Sequence, residues 1–243
     1  MEKREKIVKS AHQFKNLFGT RTSIRLFYLH NNLYQCSQLY KKFGKRAFDL
    51  TMSALGLVVL AIPIGIVSII VRATSRGPAL FRQERIGKNG KVFIINKFRT
   101  MSAEHEDLSS VTAKGDKRIT AMGCLLRRYK IDELPQLWNV FVGDMSFVGP
   151  RPDVPGYYDK LVGRDRRILD LRPGITGPST LKYVDEEDIL AVQPDPVRFN
   201  DEVIFPDKVR INLEYLDNMS LLRDIQLIWK TITGDTSKQE WQA

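Results

Sequence analysis

Leu50 to Val71 reads LTMSALGLVVLAIPIGIVSIIV, 22 residues with no formal charge on any face. A helix apolar on all sides offers nothing to water, so it belongs in a bilayer or deep inside a large core. An uncharged run of this length favours the bilayer. It begins too far from the N-terminus for a signal peptide and lacks a small-residue cleavage pattern. Pro63, near its middle, removes an N–H and crowds the carbonyl of Val59, which predicts a bend. Lys41, Lys42, Lys45 and Arg46 precede the run; Arg72, Arg76, Arg82 and Arg85 follow it. Positive residues mark the cytoplasmic side of a membrane, and here both ends qualify. A helix that bends at Pro63 and returns to its own face satisfies both ends. A tilted, kinked span is the alternative. Thr51, Ser53 and Ser68 are the side chains at hand to satisfy backbone groups freed by the bend.

Charge is unevenly placed along the 243 residues. The formal net is +10, but residues 1–46 hold 11 Lys/Arg against Glu2 and Glu5, leaving the rest at +1. A basic arm on a nearly neutral body points to an anionic surface, lipid headgroups or nucleic acid. Ile7, Ala11, Phe14 and Phe18 share a helical face in that arm, as in a helix lying among headgroups. Nucleic acid is disfavoured, because basic residues interleaved with stacking aromatics are missing. Cys36 and Cys124 have no metal spacing, and no phosphate-loop or dinucleotide fingerprint occurs.

Beyond the apolar run, Phe81–Thr100 reads as two strands around Lys88-Asn89-Gly90, since Asn-Gly accepts positive φ at both positions. The second strand ends in Lys97 and Arg99, one residue apart on one face and suited to phosphate. Residues 102–118 are polar, a loop or lid containing His105. Ile119, Met122, Leu125, Leu126 and Tyr129 form a helical stripe. It leads into Arg127–Pro152 (RRYKIDELPQLWNVFVGDMSFVGPRP). Here Asp132 and Glu133 precede Leu134, Leu137, Trp138 and Phe141 at helical spacing, with Pro135 suited to a first turn. Asp132 is expected as the N-cap, ionised by the helix dipole and by Arg127 and Arg128. A capping Asp with a solvated Glu is the plainer alternative. The Leu171–Pro178 loop supplies Arg172, with glycines including Gly174 that permit close backbone approach. Asp49 at the mouth of the apolar run is expected to pair with Arg46. Residues 183–206 are expected to be irregular. Two helices close the chain, the last amphipathic, capped by Ser220 and stopped by Gly234.

The ordered set of Lys45-Arg46-Ala47-Phe48-Asp49, the Pro63-broken helix, Gly77-Pro78 with Phe81 and Gln83, Lys97–Met101, Asp132-Glu133-Leu134, Gly143–Pro152 and Arg172–Gly177 resembles the bacterial sugar transferases that are monotopic phosphoglycosyl transferases. It covers about residues 45–233. The resemblance implies an enzyme that moves a sugar-1-phosphate from a UDP-sugar to polyprenyl (undecaprenyl) phosphate. UMP is released, and the sugar phosphate is held in between on an aspartate. It implies Asp132 as nucleophile, Glu133 in Mg²⁺ or proton handling, and Arg127 at the arginine position ahead of the dyad. Mg²⁺ at Asp132 and Glu133 is the implied cofactor, and Lys97, Arg99, Arg151, Arg172 and Gly174 are candidates for substrate phosphate contact. The implied location is the bacterial inner membrane, with the catalytic part on the cytoplasmic face.

The chain departs from that pattern at Ile62 (usually Ser), at Pro178-Ser179-Thr180 (often Trp-Ala-Gln) and at Asn212 (often acidic). The expected fold is α/β, mostly helical with a small β-hairpin, carried on a Pro-bent re-entrant hydrophobic helix. Its expected parts are a basic arm (1–46), the membrane helix (47–72), a catalytic domain (73–234) and a polar tail (235–243). Membrane lipids are expected partners and homo-oligomerisation is compatible with the sequence. The rival class is a non-catalytic membrane-surface or nucleic-acid-binding protein that uses the basic arm.

Overall fold

The computed structural model describes residues 38–102 and 118–234. The amphipathic stretch of the arm, Cys36, most of the polar loop with His105, and the tail lie outside the described residues. The chain divides into two units, 1–45 and 46–243. In the first, a π-helical turn, Tyr40–Gly44, is described.

The apolar run forms two helices, α1 (Lys45–Val59) and α2 (Ala61–Thr74). The helix ending at Val59 and α2 are bent by 62° at a one-residue break. That break falls at Leu60, three residues ahead of Pro63, where φ −95° and ψ 6° leave the helical region. The displacement follows from proline chemistry, since the missing N–H and the ring clash both act on the carbonyl four residues back. Ser53 and Ser68 donate to the carbonyls of Asp49 and Ile64, one turn behind each, at 2.6 and 2.7 Å. Among the described residues no single helix is long and apolar enough to cross a membrane. Val58, Val59, Ile62 and Ile69 are largely exposed, whereas Ser53 and Val71 are buried. One side of the bent pair therefore rests on the domain. Gly56 lies against Leu137, and Val71 packs with Phe98 and Leu126.

The hairpin forms as expected. Strands β1 (Leu80–Ile86) and β2 (Val92–Phe98) pair antiparallel, and Asn89 and Gly90 take φ 59° and 75° in the turn. The register sets Phe81 opposite Lys97, Gln83 opposite Ile95 and Arg85 opposite Phe93, so these six share one face. Helix α3 (Ala121–Arg128) starts at Thr120, whose hydroxyl accepts from the Gly123 amide at 2.9 Å. A short 3₁₀ turn, Ile131–Glu133, then leads to α4 (Gln136–Val142).

A second sheet was not foreseen. Strands β3 (Ser146–Val148) and β4 (Gly174–Thr176) pair in parallel, joined by a crossover containing 3₁₀ turns at Tyr158–Lys160 and Asp165–Asp170. A β-carbon at Gly149 would collide with the Arg172 carbonyl oxygen, one at Gly174 with the Gly149 amide, and one at Gly177 with the Gly149 carbonyl. The close approach expected of the Leu171–Pro178 glycines is thus made to another backbone segment. Gly149 N–H donates to the Thr176 carbonyl at 2.9 Å, and Gly174 N–H to the Pro150 carbonyl at 2.8 Å.

Residues 183–206 are helical in short pieces, contrary to the expected irregular excursion. After α5 (Pro178–Lys182) come α6 (Glu186–Ala191), α7 (Pro196–Phe199) and a π turn, Asn200–Ile204. Acids fill the first turn of α6, and Asp195 caps α7 by accepting from the Arg198 amide at 3.0 Å, with Pro196 next. The same acids and prolines that suggested a surface loop are helix-start signals here. Helices α8 (Phe205–Asp217) and α9 (Leu221–Thr233) close the chain, with Ser220 as N-cap and Gly234 left-handed after α9. Helix α9 buries Asp224 and Leu227, while Leu222, Ile225, Trp229 and Ile232 face outward.

Gly149→Ala is expected to destabilise the protein by about 3 kcal/mol, because the overpacked contact is with backbone and no rotamer relieves it. Denaturant unfolding of the two proteins side by side measures this; an unchanged midpoint would show that the β3–β4 junction yields.

Candidate active site

The Asp132-Glu133 dyad lies at the junction of α3, β2 and the segment after β3. Helix α3 ends through Lys130, which adopts a left-handed φ of 56° and donates its amide to the Arg127 carbonyl at 3.1 Å. That turn starts the 3₁₀ segment, so Asp132 lies inside it and Pro135 stands at the start of α4. The expected N-cap role of Asp132 is therefore corrected: Pro135 occupies the capping position, and Asp132 is three residues too early.

The two carboxylates have different surroundings. Glu133 Oε1 pairs with Lys97 Nζ at 3.0 Å and with Arg151 Nη2 at 3.3 Å. Burial works against its charge, but Arg151 and Lys97 outweigh burial and hold the carboxyl at about 2. Asp132 is 8% exposed, and its Oδ1 is buried without a hydrogen-bond partner. Burial, with Glu133 adding to it, raises its pKa against the opposing pull of Lys97, Arg127 and Lys130. The expected dipole-lowered Asp132 is corrected in direction, because desolvation exceeds the attraction of its cations.

Of the other residues singled out in the sequence, Lys97, Arg151 and Gly174 line one cleft with Glu133, together with Arg85, Ile95, Gln136 and Pro152. Arg127 Nε donates to Thr100 Oγ1 at 3.0 Å. Arg99 is buried, its Nη2 donating to the Ser75 carbonyl and hydroxyl, both at 2.7 Å, so it braces the turn after α2. Arg172 donates through Nε to the Gly143 carbonyl at 2.8 Å. Arg46, expected beside Asp49, donates instead to the Val140 and Phe141 carbonyls at 2.6 and 2.8 Å. These two arginines serve the unsatisfied carbonyl end of α4. Buried Asp49 accepts from Ser146 Oγ and the Phe147 amide at 3.0 and 3.1 Å. Arg85 and Gln136 had not been singled out for the site. Extending the Phe81–Gln83 alternation by two residues would have found Arg85.

The acidic groups fit Mg²⁺ in one specific way. Among the described residues no group of three or more His, Cys, Asp or Glu could hold a metal. Mg²⁺ commonly takes one or two carboxylates, with substrate phosphate and water supplying the rest. The unpartnered Asp132 Oδ1 suits that role, whereas Glu133 Oε1 is already engaged by two cations.

The opposite shifts predict opposite stability effects. Glu133, depressed from 4.5 to about 2, stabilises the fold above pH 4.5, and this is lost as pH falls through about 2. Asp132, raised from 3.8, opposes folding once ionised above its folded pKa. At pH 7.5 Asp132→Asn is therefore expected to raise Tm, and Glu133→Gln, which leaves Lys97 and Arg151 without their carboxylate, to lower it. Thermal melts of both variants check this; a fall in Tm for Asp132→Asn would contradict the assigned environment.

A family model described as bacterial sugar transferase matches residues 40–237. The chain is 36% identical over 202 residues to the exopolysaccharide production protein PSS of Rhizobium leguminosarum bv. phaseoli, covering 80% of this chain and 96% of that relative. It is 38% identical over 200 residues to an undecaprenyl-phosphate glucose phosphotransferase of Komagataeibacter xylinus, covering 77% of this chain but 35% of the longer relative. It is 33% identical over 194 residues to a UDP-glucose:undecaprenyl-phosphate glucose-1-phosphate transferase of Caulobacter vibrioides, covering 77% and 68%. The match takes in the bent helix pair, the hairpin, the dyad and both glycine motifs, so the chain belongs to the bacterial sugar transferase family.

Proposed function

We propose that this protein is a phosphoglycosyl transferase that moves a sugar-1-phosphate from a UDP-sugar to undecaprenyl phosphate. The observation that carries the reading is the buried, unpartnered Asp132 Oδ1 beside a Glu133 fixed by Lys97 and Arg151. An Asp132 carboxylate oxygen attacks the sugar-bearing phosphorus. The bond from that phosphorus to the bridging oxygen of the diphosphate breaks, and UMP leaves with the electron pair. A phosphate oxygen of undecaprenyl phosphate then attacks the same phosphorus, freeing Asp132 and giving undecaprenyl-diphosphate sugar. Desolvation keeps the nucleophile reactive, and the cations around the dyad offset repulsion between carboxylate and diphosphate. Glu133 keeps Lys97 and Arg151 in place, and Arg127 stands one turn ahead. Mg²⁺, when bound at Asp132, would neutralise diphosphate charge.

Membrane attachment forms part of the same proposal. The 62° bend, the exposed apolar side of the α1–α2 pair and the outward apolar face of α9 support a re-entrant element in one leaflet. Arg72 and Arg76 would hold its far end among headgroups on the cytoplasmic face of the bacterial inner membrane. A lipid phosphate could then meet Asp132 without leaving the interface.

Radiolabelled UDP-sugar without acceptor is expected to leave label on the protein and free UMP. Asp132→Asn is expected to lose both by at least about 10³-fold. Release of UMP only after undecaprenyl phosphate is added would indicate direct transfer. A panel of UDP-sugars assayed this way also identifies the sugar.

Topology is checked with Glu5→Cys and Glu240→Cys, each placed singly in a background lacking Cys36 and Cys124. Both are expected to resist an impermeant thiol reagent in intact cells. Labelling of position 5 with position 240 protected would establish a true span.

A further inference from the structure

Arg85 belongs to the cleft but has no task in the reaction as drawn so far. It sits on β1, on the sheet face shared with Lys97 of β2, and lines the same cleft as Lys97, Glu133 and Arg151. Its guanidinium is fixed at one end, Nη2 donating to Gln83 Oε1 at 2.6 Å and Nη1 to the Pro152 carbonyl at 3.2 Å. Its Nε is buried with no hydrogen-bond partner. Three cations thus line the cleft against one carboxylate, which already serves two of them.

Asp132 acts electrostatically on Lys97 and Arg151, and two further acids lie nearby. Asp153 acts on Arg85 electrostatically, but burial raises its own pKa, and its carboxylate accepts from the Val154 amide at 3.0 Å. Glu186, which acts on Arg151 at longer range, is held by Lys208 Nζ at 2.6 and 2.7 Å. Burial disfavours the charge on Arg85 more than Asp153 supports it, and Arg151 adds to the repulsion. A diphosphate diester, which carries two negative charges at neutral pH, suits a cleft lined by Arg85, Lys97 and Arg151.

We propose that Arg85 binds the diphosphate of the nucleotide-sugar donor, completing with Lys97 and Arg151 a three-cation cradle on the Glu133 side of the dyad. This rests on the transfer reading above and assigns the cleft to the donor rather than to the lipid acceptor. Gln83 is a positioning residue, because its amide oxygen sets the plane of the guanidinium. Gly174 lines the cleft where its own chain packs against the Gly149 backbone.

Two measurements on the full-length protein in detergent test the assignment. In the complete reaction, Arg85→Gln is expected to raise the KM for UDP-sugar at least about 10-fold, the loss of one charge-assisted hydrogen bond. The KM for undecaprenyl phosphate should stay within about two-fold, and Arg85→Lys should recover part of the loss because it restores charge without the planar fork. Calorimetric titration with UDP reads the same site without turnover, and Arg85→Gln is expected to bind at least about 10-fold more weakly than wild type. Equal UDP affinity in wild type and Arg85→Gln, or no UDP binding by wild type, would overturn the assignment. So would parallel rises in both KM values with a lowered Tm, the signature of a residue that merely tethers Pro152. Wild-type protein that binds UDP through Arg85 yet forms no adduct with any UDP-sugar would sink the transfer reading and leave the Arg85 site standing.

Discussion

The backbone contact at Gly149 sets the geometry of the site. With Gly174 on one side and Gly177 close by, the chain between β3 and Arg151 runs against the chain around β4 at a separation that admits no β-carbon. Amide-to-carbonyl bonds from Gly149 to Thr176 and from Gly174 to Pro150 lock the two segments. Arg151 follows Pro150 directly, so its approach to Glu133 and the position of Gly174 in the cleft are set by one junction. Buried backbone groups must find partners, and at this distance the partners are other backbone groups, which fixes register more tightly than side-chain packing would.

The bent apolar helix pair is tied to that junction through a buried charge. Asp49 on α1 accepts from Ser146 and Phe147 at the start of β3, the strand that leads to Gly149. A buried carboxylate is tolerated only when its oxygens are bonded, and the bonds it makes here fasten α1 to the catalytic fold. Arg46 and Arg172 reach the carbonyl end of α4 from α1 and from the approach to β4. Asp49, Arg46 and Arg172 thus connect elements distant in sequence.

Electrostatics divides the dyad. Glu133 is ionised and held, and its role is to order Lys97 and Arg151. Asp132 is buried beside it with an oxygen unspent, which suits a nucleophile that must not be consumed by a structural hydrogen bond. Adjacent carboxylates in one short 3₁₀ turn thus differ because cations reach one from the sheet and the β3–β4 junction while burial dominates the other.

Local sequence was sufficient where the determining physics is local. Asn89-Gly90 specified a hairpin through positive φ, Thr120 and Ser220 specified helix starts, and Pro63 specified a break, placed three residues early because proline acts on the preceding turn. The family and the dyad were legible because motif order survives without coordinates. The 183–206 region was misjudged because acids and prolines signal both loops and helix starts, and only what surrounds them selects one. The parallel β3–β4 pair, the turning of Arg46 and Arg172 onto α4, and the meeting of Arg85 with Lys97 and Arg151 in one cleft could not be read from the chain. Each depends on which residues distant in sequence become neighbours, and on how much water remains between them. Sequence alone determined the residue types, the local turns and the presence of two carboxylates ahead of an apolar helix. Tertiary structure alone decided which carboxylate is held and which is left free, because desolvation and ion pairing depend on neighbours that packing supplies.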